Sequence, residues 1–270
     1  MNEAQSEPVI SFADVRLGFD EGDVLRGVNF EVAHGETKVL VGESGSGKTL
    51  TLKLAAGLLK ADAGRVRVLG RDLGAMKESE LLDFRRQIGF VFQEGALFDS
   101  LSVAENVAYR LNEEGVGADE VETRVREALR FVEMEEALDK MPADLSGGMR
   151  RRVSIARALV SRPPVVLYDS PTAGLDPVTA QTIITLILRL RDTQGVTSVL
   201  ATHRLQDAFG LANYRFDATS DRVMRAAAAA SRNGQPETNF LVLRHGAVYF
   251  EGGPKTVLES QDGYLKRFLV

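Results

Sequence analysis

TKVLVGESGSGKTLTLKLAAGLL, residues 37–59, is the stretch that decides the fold of this chain. An apolar run is followed by GESGSGKT (42–49), which fits the phosphate-loop pattern G-x-x-x-x-G-K-S/T, and then by a predicted helix over 49–59. A flexible Gly/Ser turn would account for the loop but not for the strand and helix that flank it. The stretch therefore predicts a nucleotide-phosphate site in an α/β fold.

Each part of this loop has a chemical role in binding phosphate. The glycines let backbone N–H groups turn inward around phosphate oxygens, and the helix N-terminus adds the positive end of its dipole. Lys48 is expected to reach the β- and γ-phosphates, and Thr49 to bind Mg²⁺. The predicted nucleotide-binding residues of the loop are Gly42, Glu43, Ser44, Gly45, Ser46, Gly47, Lys48 and Thr49.

Size and composition narrow the class of protein. The chain has 270 residues, which suits one domain with subdomains, and no apolar run approaches the length of a membrane span. Its first residues, MNEAQSEP, lack the features of a secretory signal, so we expect a cytoplasmic location. With no cysteine and three histidines, any metal is expected to be a hard ion held by oxygen, and a net charge of −5 argues against a nucleic-acid partner.

The order of patterns along the chain predicts a parallel core with additions. Short β-like runs in the first 42 residues favour an antiparallel layer, and a parallel core is expected to follow from Val39. Helices are predicted over 102–161 and from Asp176 to near Gly195. Further strands are predicted around Val66, Ile88, Val165 and Ser198, and over 240–243 and 248–250.

A polar stretch with an alanine run, TSDRVMRAAAAASRNGQPETN (219–239), interrupts the pattern before the last strands. It is interpreted as a surface insert over about 219–238, in which the alanines favour helix. Its arginines, Arg222, Arg225 and Arg232, are candidates for lipid headgroups or a partner, and a solvated segment is the alternative.

Asp169 is the second phosphate-loop element. It ends the apolar run 165–168, and a carboxylate there is placed to hold magnesium beside Thr49. A buried strand that ends in Asp is common, so the assignment depends on the phosphate loop that precedes it in the chain.

LSGGM (145–149), directly before RRRVSIARALV, resembles the signature motif of ABC-type ATPases. Ser146 and the amides of Gly147 and Gly148 would stand at a helix N-terminus, where they can bind a γ-phosphate. The resemblance implies that these residues, together with Leu145 and Met149, serve the nucleotide of the opposite subunit. An ordinary helix cap is the alternative.

Four further residues match motifs of that family. Gln93, after IGFVF, matches the Q-loop glutamine that touches magnesium; Asp176, in AGLD, matches the D-loop at the dimer interface; and His203 matches the switch histidine. Phe19 falls where the family has an aromatic that stacks on adenine, whereas the alternating pattern around its rival, Phe12, favours core. Asp176 before Pro177 is equally a good helix cap.

The resemblance covers about residues 8–270 except the insert, and implies a single ABC ATPase domain that binds ATP and Mg²⁺. The implied fold is α/β: a RecA-like core with an N-terminal antiparallel β layer over about 8–97 and 162–270, and an inserted helical subdomain over about 98–161. The implied partners are a second ABC subunit, in a homodimer or heterodimer, and an integral membrane permease. The implied location is peripheral, on the inner face of the plasma membrane.

Two stretches resemble a subgroup, the Mla-type ATPases of lipid transport and organic-solvent resistance. These are FQEGALFDSLSVAENVAY (92–109) and LSGGMRRRV (145–153), with Met149 where most relatives have Gln, and the tail YLKRFLV is similar as well. The subgroup implies phospholipid or another apolar cargo, with a small regulatory subunit and a substrate-binding lipid-transfer protein as further partners.

Ser170 departs from the family pattern, which has glutamate after the magnesium aspartate to polarise the attacking water. A hydroxyl is a far poorer base than a carboxylate, so we expect ATP to bind and to be hydrolysed slowly, with help from His203 and Gln93. One interpretation is a slow or gated ATPase, and another is a degenerate site paired with a competent subunit. A third, an engineered trap, would more naturally use Gln or Ala.

Two other function classes remain beside the transport ATPase. One is a nucleotide-gated regulatory module without significant turnover. The other is a non-transport ABC protein of the DNA-repair or translation type, which one cassette, no long coiled coil and an acidic balance disfavour.

Overall fold

Strands and helices alternate along most of the chain in the computed structural model, which describes residues 7–20, 22–226 and 238–269. The strands are β1 (Ile10–Phe19), β2 (Gly22–Val32), β3 (Thr37–Val41), β4 (Ala63–Val68), β5 (Arg71–Asp72), β6 (Ile88–Val91), β7 (Val165–Asp169), β8 (Thr197–Thr202), β9 (Tyr214–Asp217), β10 (Arg222–Arg225), β11 (Thr238–Arg244) and β12 (Ala247–Gly252). The helices are α1 (Lys48–Ala55), α2 (Glu78–Arg85), α3 (Val103–Glu113), α4 (Ala118–Phe131), α5 (Gly147–Leu159), α6 (Pro177–Gln194), α7 (Leu205–Asn213), α8 (Pro254–Glu259) and α9 (Gly263–Leu269).

An antiparallel sheet in the order β2-β1-β4-β5 forms the first layer. Along β2 every second residue near the end is buried, as expected for a sheet with one face toward the core. The predicted antiparallel layer is thus confirmed. Its membership differs from the prediction, because the strand at Val66 belongs to this layer and the run 37–41 belongs to the parallel sheet.

The second sheet is mainly parallel, in the order β12-β11-β3-β8-β7-β6, with β12 antiparallel at its edge. Strands β3, β7 and β8 are buried along their whole length, which explains the apolar runs 39–41, 165–168 and 199–201 within them. Alternate residues serve different cores: Val39 and Val41 pack with the helices, whereas Leu40 packs with the antiparallel layer. The predicted α/β class is confirmed.

Helices α3, α4 and α5 fill the chain between β6 and β7. Ser102 caps α3 by accepting from the Glu105 N–H at 3.2 Å, and the Glu105 carboxylate accepts from the Ser102 N–H at 2.7 Å. Helix α4 buries one stripe, Val121, Val125 and Leu129, against its neighbours. Helices α3, α4 and α5 thus lie within the range 102–161 for which helices were predicted.

Strands β9 and β10 pair as a hairpin whose second strand lies at the start of the predicted insert. It packs on α6, where the Phe216 N–H donates to Asp192 at 2.7 Å and the Arg189 guanidinium lies 5.5 Å from the Phe216 ring centroid. Arg222 and Arg225 are exposed, as expected of a surface segment, but they lie in a strand, and Thr238, at the other end of the predicted insert, is in β11. The extent of the insert stays a prediction. Residues 227–237, with Arg232 and most of the alanine run, lie outside the described residues.

The last described helices, α8 and α9, follow the edge strand β12. Val257 and Leu265 anchor them to the core that contains β11. In the ranges that the structure describes, no helix combines the length and apolar character that a membrane span requires.

Candidate nucleotide-binding site

Four neighbouring parallel strands bring the predicted site residues to one edge of the sheet. β3 pairs with β8, β8 with β7 and β7 with β6, so that Val41 lies opposite Thr202, and Asp169 opposite Ala201. Ligands of open α/β sheets bind beyond the carboxyl ends of the strands. The residues that follow or end these four strands are Gly42, His203, Asp169 with Ser170, and Gln93.

The phosphate loop requires glycine at two positions for different reasons. A Cβ at Gly42 would lie 2.4 Å from the carbonyl oxygen of Leu243, so the backbones of β3 and β11 can approach only without a side chain there. Gly47 has φ +101° at the N-cap of α1, and its Cβ would lie 2.3 Å from a methyl of Leu25. Substituting either would therefore change the shape of the loop.

The Lys48 ammonium lies at the centre of this loop. Its Nζ donates to the carbonyl oxygens of Gly42 and Glu43, both at 2.8 Å, and approaches the Ser46 hydroxyl at 3.4 Å. Burial lowers the pKa of Lys48, and the negative charge of Asp169 opposes that shift. The loop thus concentrates one positive charge and its first helical N–H groups at the place where phosphate is predicted to bind.

Thr49 and Asp169 meet at the floor of the site. The Thr49 hydroxyl donates to Asp169 Oδ1 at 3.1 Å, and Asp169 is only 6% exposed. Burial raises the pKa of Asp169, opposed by hydrogen bonds from Thr49 and Ser170 and by the charges of Lys53 and Lys48. A desolvated carboxylate beside a hydroxyl fits a hard divalent cation, which Thr49 and Asp169 would hold, with the exposed Gln93 as a further oxygen ligand.

Ser170 occupies the position beside Asp169 with little freedom to move. It is 9% exposed, has φ +47°, and its N–H donates to the carbonyl oxygen of Ala201 at 2.9 Å. A non-glycine residue in the left-handed region is held there by its surroundings. The backbone at this position is therefore held in place beside Asp169, and the replacement of a water-activating carboxylate by the Ser170 hydroxyl stays a prediction.

The LSGGM stretch forms the start of α5. Ser146 is the N-cap, and its hydroxyl accepts from the Met149 N–H at 3.3 Å, while Gly147 and Gly148 form the first turn. Leu145 is buried and anchors the stretch, but Ser146 and Gly147 are exposed. The helix N-terminus is therefore open to an anion from outside this chain, and its role toward a second subunit stays a prediction.

The remaining predicted residues lie at the surface. His203 and Gln93 are exposed, and Asp176 caps α6 by accepting from the Val178 and Thr179 N–H groups, both at 3.0 Å. Phe19 is 56% exposed at the end of β1, whereas Phe12 is 2% exposed and lies in the core. An adenine contact thus stays a prediction for Phe19 alone.

A buried polar network behind Ser170 was not foreseen from the sequence. The Thr172 hydroxyl donates to the Asp207 carboxylate, which also accepts from the Thr202 hydroxyl at 3.3 Å. Arg151 and Arg204 donate to backbone carbonyls of the same region. Two features of the sequence could have pointed to this network. Asp207 lies one helical turn after His203, and Arg151 is in the basic run after the signature stretch.

Comparison with known proteins identifies the family. A family model described as "ABC transporter" matches residues 25–173, more than half of the chain. The chain belongs to the ABC transporter family. It is 38% identical over 210 residues to the methionine import ATP-binding protein MetN of Rhizobium johnstonii, covering 78% of this chain and 58% of that protein. It is 35% identical over 243 residues to the spermidine/putrescine import ATP-binding protein PotA of Nostoc sp., covering 90% and 62%.

Solved structures of the ABC family have the same fold. The dimeric structure of MJ0796, a bacterial ABC transporter cassette, matches with a TM-score of 0.75 and 30% identity over 90% of this chain and 98% of that one. The cbiO1 structure from Clostridium perfringens, part of the cbiONQ ABC transporter complex, matches with a TM-score of 0.78 and 27% identity over 94% and 92%. The predicted ABC ATPase fold is confirmed. The chain spans less than two thirds of the length of the two import proteins above.

Proposed function

We propose that this chain is the ATP-binding subunit of an ABC transporter and that it binds Mg-ATP at the edge of the parallel sheet. The observation that carries the proposal is the contact of Thr49 with Asp169 at 3.1 Å beside the Lys48 ammonium, which lies inside the phosphate loop. The Lys48 ammonium, the N-terminus of α1 and the desolvated Asp169 carboxylate converge there, as binding of a magnesium-nucleotide requires. Mg²⁺ would neutralise charge on the β- and γ-phosphates.

Two such subunits are proposed to enclose two ATP molecules. The phosphate loop of one would face the exposed Ser146 helix N-terminus of the other, and Asp176 would lie at the interface. Because each nucleotide then contacts both subunits, ATP binding favours closure and loss of the γ-phosphate favours opening. The MJ0796 cassette, which has the same fold, is dimeric.

Hydrolysis is proposed to be slow, because Ser170 offers no carboxylate to the attacking water. His203 and the positioning of the γ-phosphate would supply the remaining catalysis, and Gln93 would help to place the water. A nucleotide-gated regulatory subunit, paired with a competent ATPase, is the second candidate, and the buried hydroxyl of Ser170 favours it. Measurable turnover of the isolated chain distinguishes the slow ATPase from the regulatory subunit.

A groove beside Gln93 is the proposed docking site for the membrane permease. It has a volume of about 300 Å³ and is lined by aromatic side chains, with Phe98 and Tyr109 each 42% exposed. Arg157 orders its rim by donating to the Gly95 carbonyl oxygen at 2.9 Å and lying 5.6 Å from the Phe98 ring centroid. A short amphipathic helix of a permease would fit such a groove and place this subunit at the inner face of the membrane.

Cargo has two proposed classes with different support. The proposal of phospholipid or another apolar cargo is based on the resemblance of residues 92–109 and 145–153 to lipid-transport ATPases. A regulatory subunit and a lipid-transfer protein are proposed as partners only if the cargo is lipid. The relatives named above import methionine or polyamines, which does not support lipid and favours an amino acid or a polyamine. ATP-dependent movement of labelled phospholipid, methionine and spermidine by the reconstituted complex separates these classes.

The experiment that tests the proposed function is nucleotide binding by the isolated chain and its Lys48→Ala variant. Wild type is expected to bind Mg-ATP and to form an ATP-dependent dimer on size-exclusion chromatography, since slow hydrolysis leaves the closed state intact. Lys48→Ala removes the ammonium from the loop centre and is expected to lower affinity at least 100-fold. Lys60→Ala, at an exposed site outside the loop, is the control. Equal affinity of wild type and Lys48→Ala would contradict the phosphate-loop assignment.

A further inference from the structure

Two arginines hold consecutive carbonyl groups in the segment that follows Ser170. Arg204 Nη1 donates to the Thr172 carbonyl oxygen at 3.2 Å, and Arg151 Nη2 donates to the Ala173 carbonyl oxygen at 3.4 Å. We call residues 170–176 the held segment; it runs from Ser170 to Asp176, the predicted interface residue.

Arg151 also contacts the loop that carries Gln93. Its Nη1 donates to the carbonyl oxygen of Phe92, directly before Gln93, at 2.8 Å. One guanidinium thus spans two loops that are far apart in sequence but adjacent at the sheet edge. A planar guanidinium can bridge two carbonyls in this way, whereas an ammonium donates from a single nitrogen.

The other side of the held segment is tied to the loop that carries His203. Thr172 and Thr202 share the carboxylate of Asp207, and the Thr202 hydroxyl accepts from the Arg204 N–H at 2.9 Å. Thr172 is fully buried and Asp207 is 4% exposed. The held segment therefore has fixed connections to the loops on both sides of it.

Stability does not account for Arg151. The residue is 5% exposed, and its Nε–H has no hydrogen-bond partner among the described residues. Burial lowers the pKa of Arg151, opposed by the charges of Glu94 and Asp169. A desolvated charge with an unsatisfied N–H lowers the free energy of unfolding. The contacts of Arg151 with the Phe92 and Ala173 carbonyls are therefore a better explanation for this residue than stability.

We infer that Arg151 and Arg204 are positioning residues that hold residues 170–176 relative to the Gln93 and His203 loops, so that a change at Gln93 reaches the dimer-facing Asp176. This inference rests on the proposed function. The same two arginines would also keep Ser170 in position although it has no carboxylate. Neither Arg151 nor Arg204 is a predicted phosphate ligand.

The test is Arg151→Lys, which keeps the charge but replaces the two separated nitrogens that contact the Phe92 and Ala173 carbonyls by a single nitrogen on a shorter fork-free side chain. Hydrogen–deuterium exchange would follow the amides of Ala173 and Leu175, which donate to the carbonyl oxygens of Ser170 and Thr172. Their exchange is expected to become about tenfold faster, the change produced by losing one charge-assisted hydrogen bond, while affinity for Mg-ATP changes less than threefold. Arg152→Lys is the matched control, since Arg152 lies on the same helix and donates to the Val132 and Glu133 carbonyls away from the site.

Arg204→Lys supplies a second variant if Arg151→Lys fails to fold, and the same acceleration is expected. A structural role alone would speed exchange throughout α5, so acceleration confined to 171–176 supports the inference. Gln93→Ala should alter exchange at Ala173 and Leu175 when it is introduced into the wild-type chain, but not when it is combined with Arg151→Lys. Unchanged exchange at Ala173 and Leu175, with normal ATP-dependent dimers, would overturn this inference alone. Failure of wild type to bind ATP would instead overturn the proposed function.

Discussion

Restoring a carboxylate beside Asp169 is the perturbation with the largest expected effect. Ser170→Glu is expected to raise the rate of ATP hydrolysis by about 10²–10⁴-fold, the usual contribution of a general base, which corresponds to about 3–5 kcal/mol of activation free energy. The backbone of residue 170 is in the left-handed region, and its N–H donates to the Ala201 carbonyl oxygen at 2.9 Å, so the new side chain starts from a backbone position that is already held.

The same substitution has an electrostatic cost. Two negative charges about 5 Å apart in a site of effective dielectric constant about 20 repel by about 3 kcal/mol. That repulsion acts on Asp169, whose pKa burial already raises, and on the γ-phosphate, although Lys48 and Lys53 offset part of it. We therefore expect ATP affinity to fall while the turnover number rises, so the two must be measured separately.

The assay is phosphate release under single-turnover conditions, with ATP affinity measured in parallel. Ser170→Gln is the matched control, because it has the length of glutamate without its basicity and should stay as slow as wild type. Rapid hydrolysis by wild type that Ser170→Glu does not increase would refute the assignment of Ser170 as the missing base. Equal acceleration by Gln and Glu would refute the general-base explanation.

Two further predictions follow from burial at the site. Phe19→Ala is expected to weaken ATP binding by about 2–10-fold without lowering Tm, because the ring is exposed. Phe12→Ala should instead destabilise the fold by about 3–5 kcal/mol, because its ring is in the core. Thermal melts and nucleotide titrations measure the two effects, and equal effects of the two variants would contradict the adenine assignment. Because burial raises the pKa of Asp169, the folded chain binds a proton at this carboxylate more tightly than the unfolded chain does. The free energy of unfolding without nucleotide should therefore fall as pH rises from about 3.8 through the raised pKa. Asp169→Asn should remove this pH dependence of stability and raise Tm at pH 7 by about 2 °C. It should also abolish the extra stabilisation by Mg-ATP, and an unchanged response to Mg-ATP would exclude a metal-binding role for Asp169.

The strands and the phosphate loop were predictable because local pattern and tertiary role agree there. Strand β7 is buried on both faces and reads as a continuous apolar run, and the predicted end of α6 at Gly195 is its left-handed C-cap. The β9–β10 hairpin was missed because its strands are four residues long and only partly buried, so their pattern resembles that of a polar loop.

The site residues divide in a similar way. Lys48, Thr49 and Asp169 could be predicted as neighbours because each stands at a fixed offset from a strand end, and the sheet order brings these strand ends together. Arg151 was not found, since its two acceptors, the Phe92 and Ala173 carbonyls, are backbone groups 59 and 22 residues away. Backbone acceptors leave no residue-type signal in a sequence.

Residue types at short spacing are enough to establish the α/β class, the phosphate loop and the absence of glutamate at position 170. The packed structure was needed to show which strand ends are neighbours and that Arg151 and Arg204 contact the segment after Ser170. The physical reason is range: hydrophobic periodicity and loop chemistry act over a few residues, whereas sheet order and burial are fixed only when distant segments pack together.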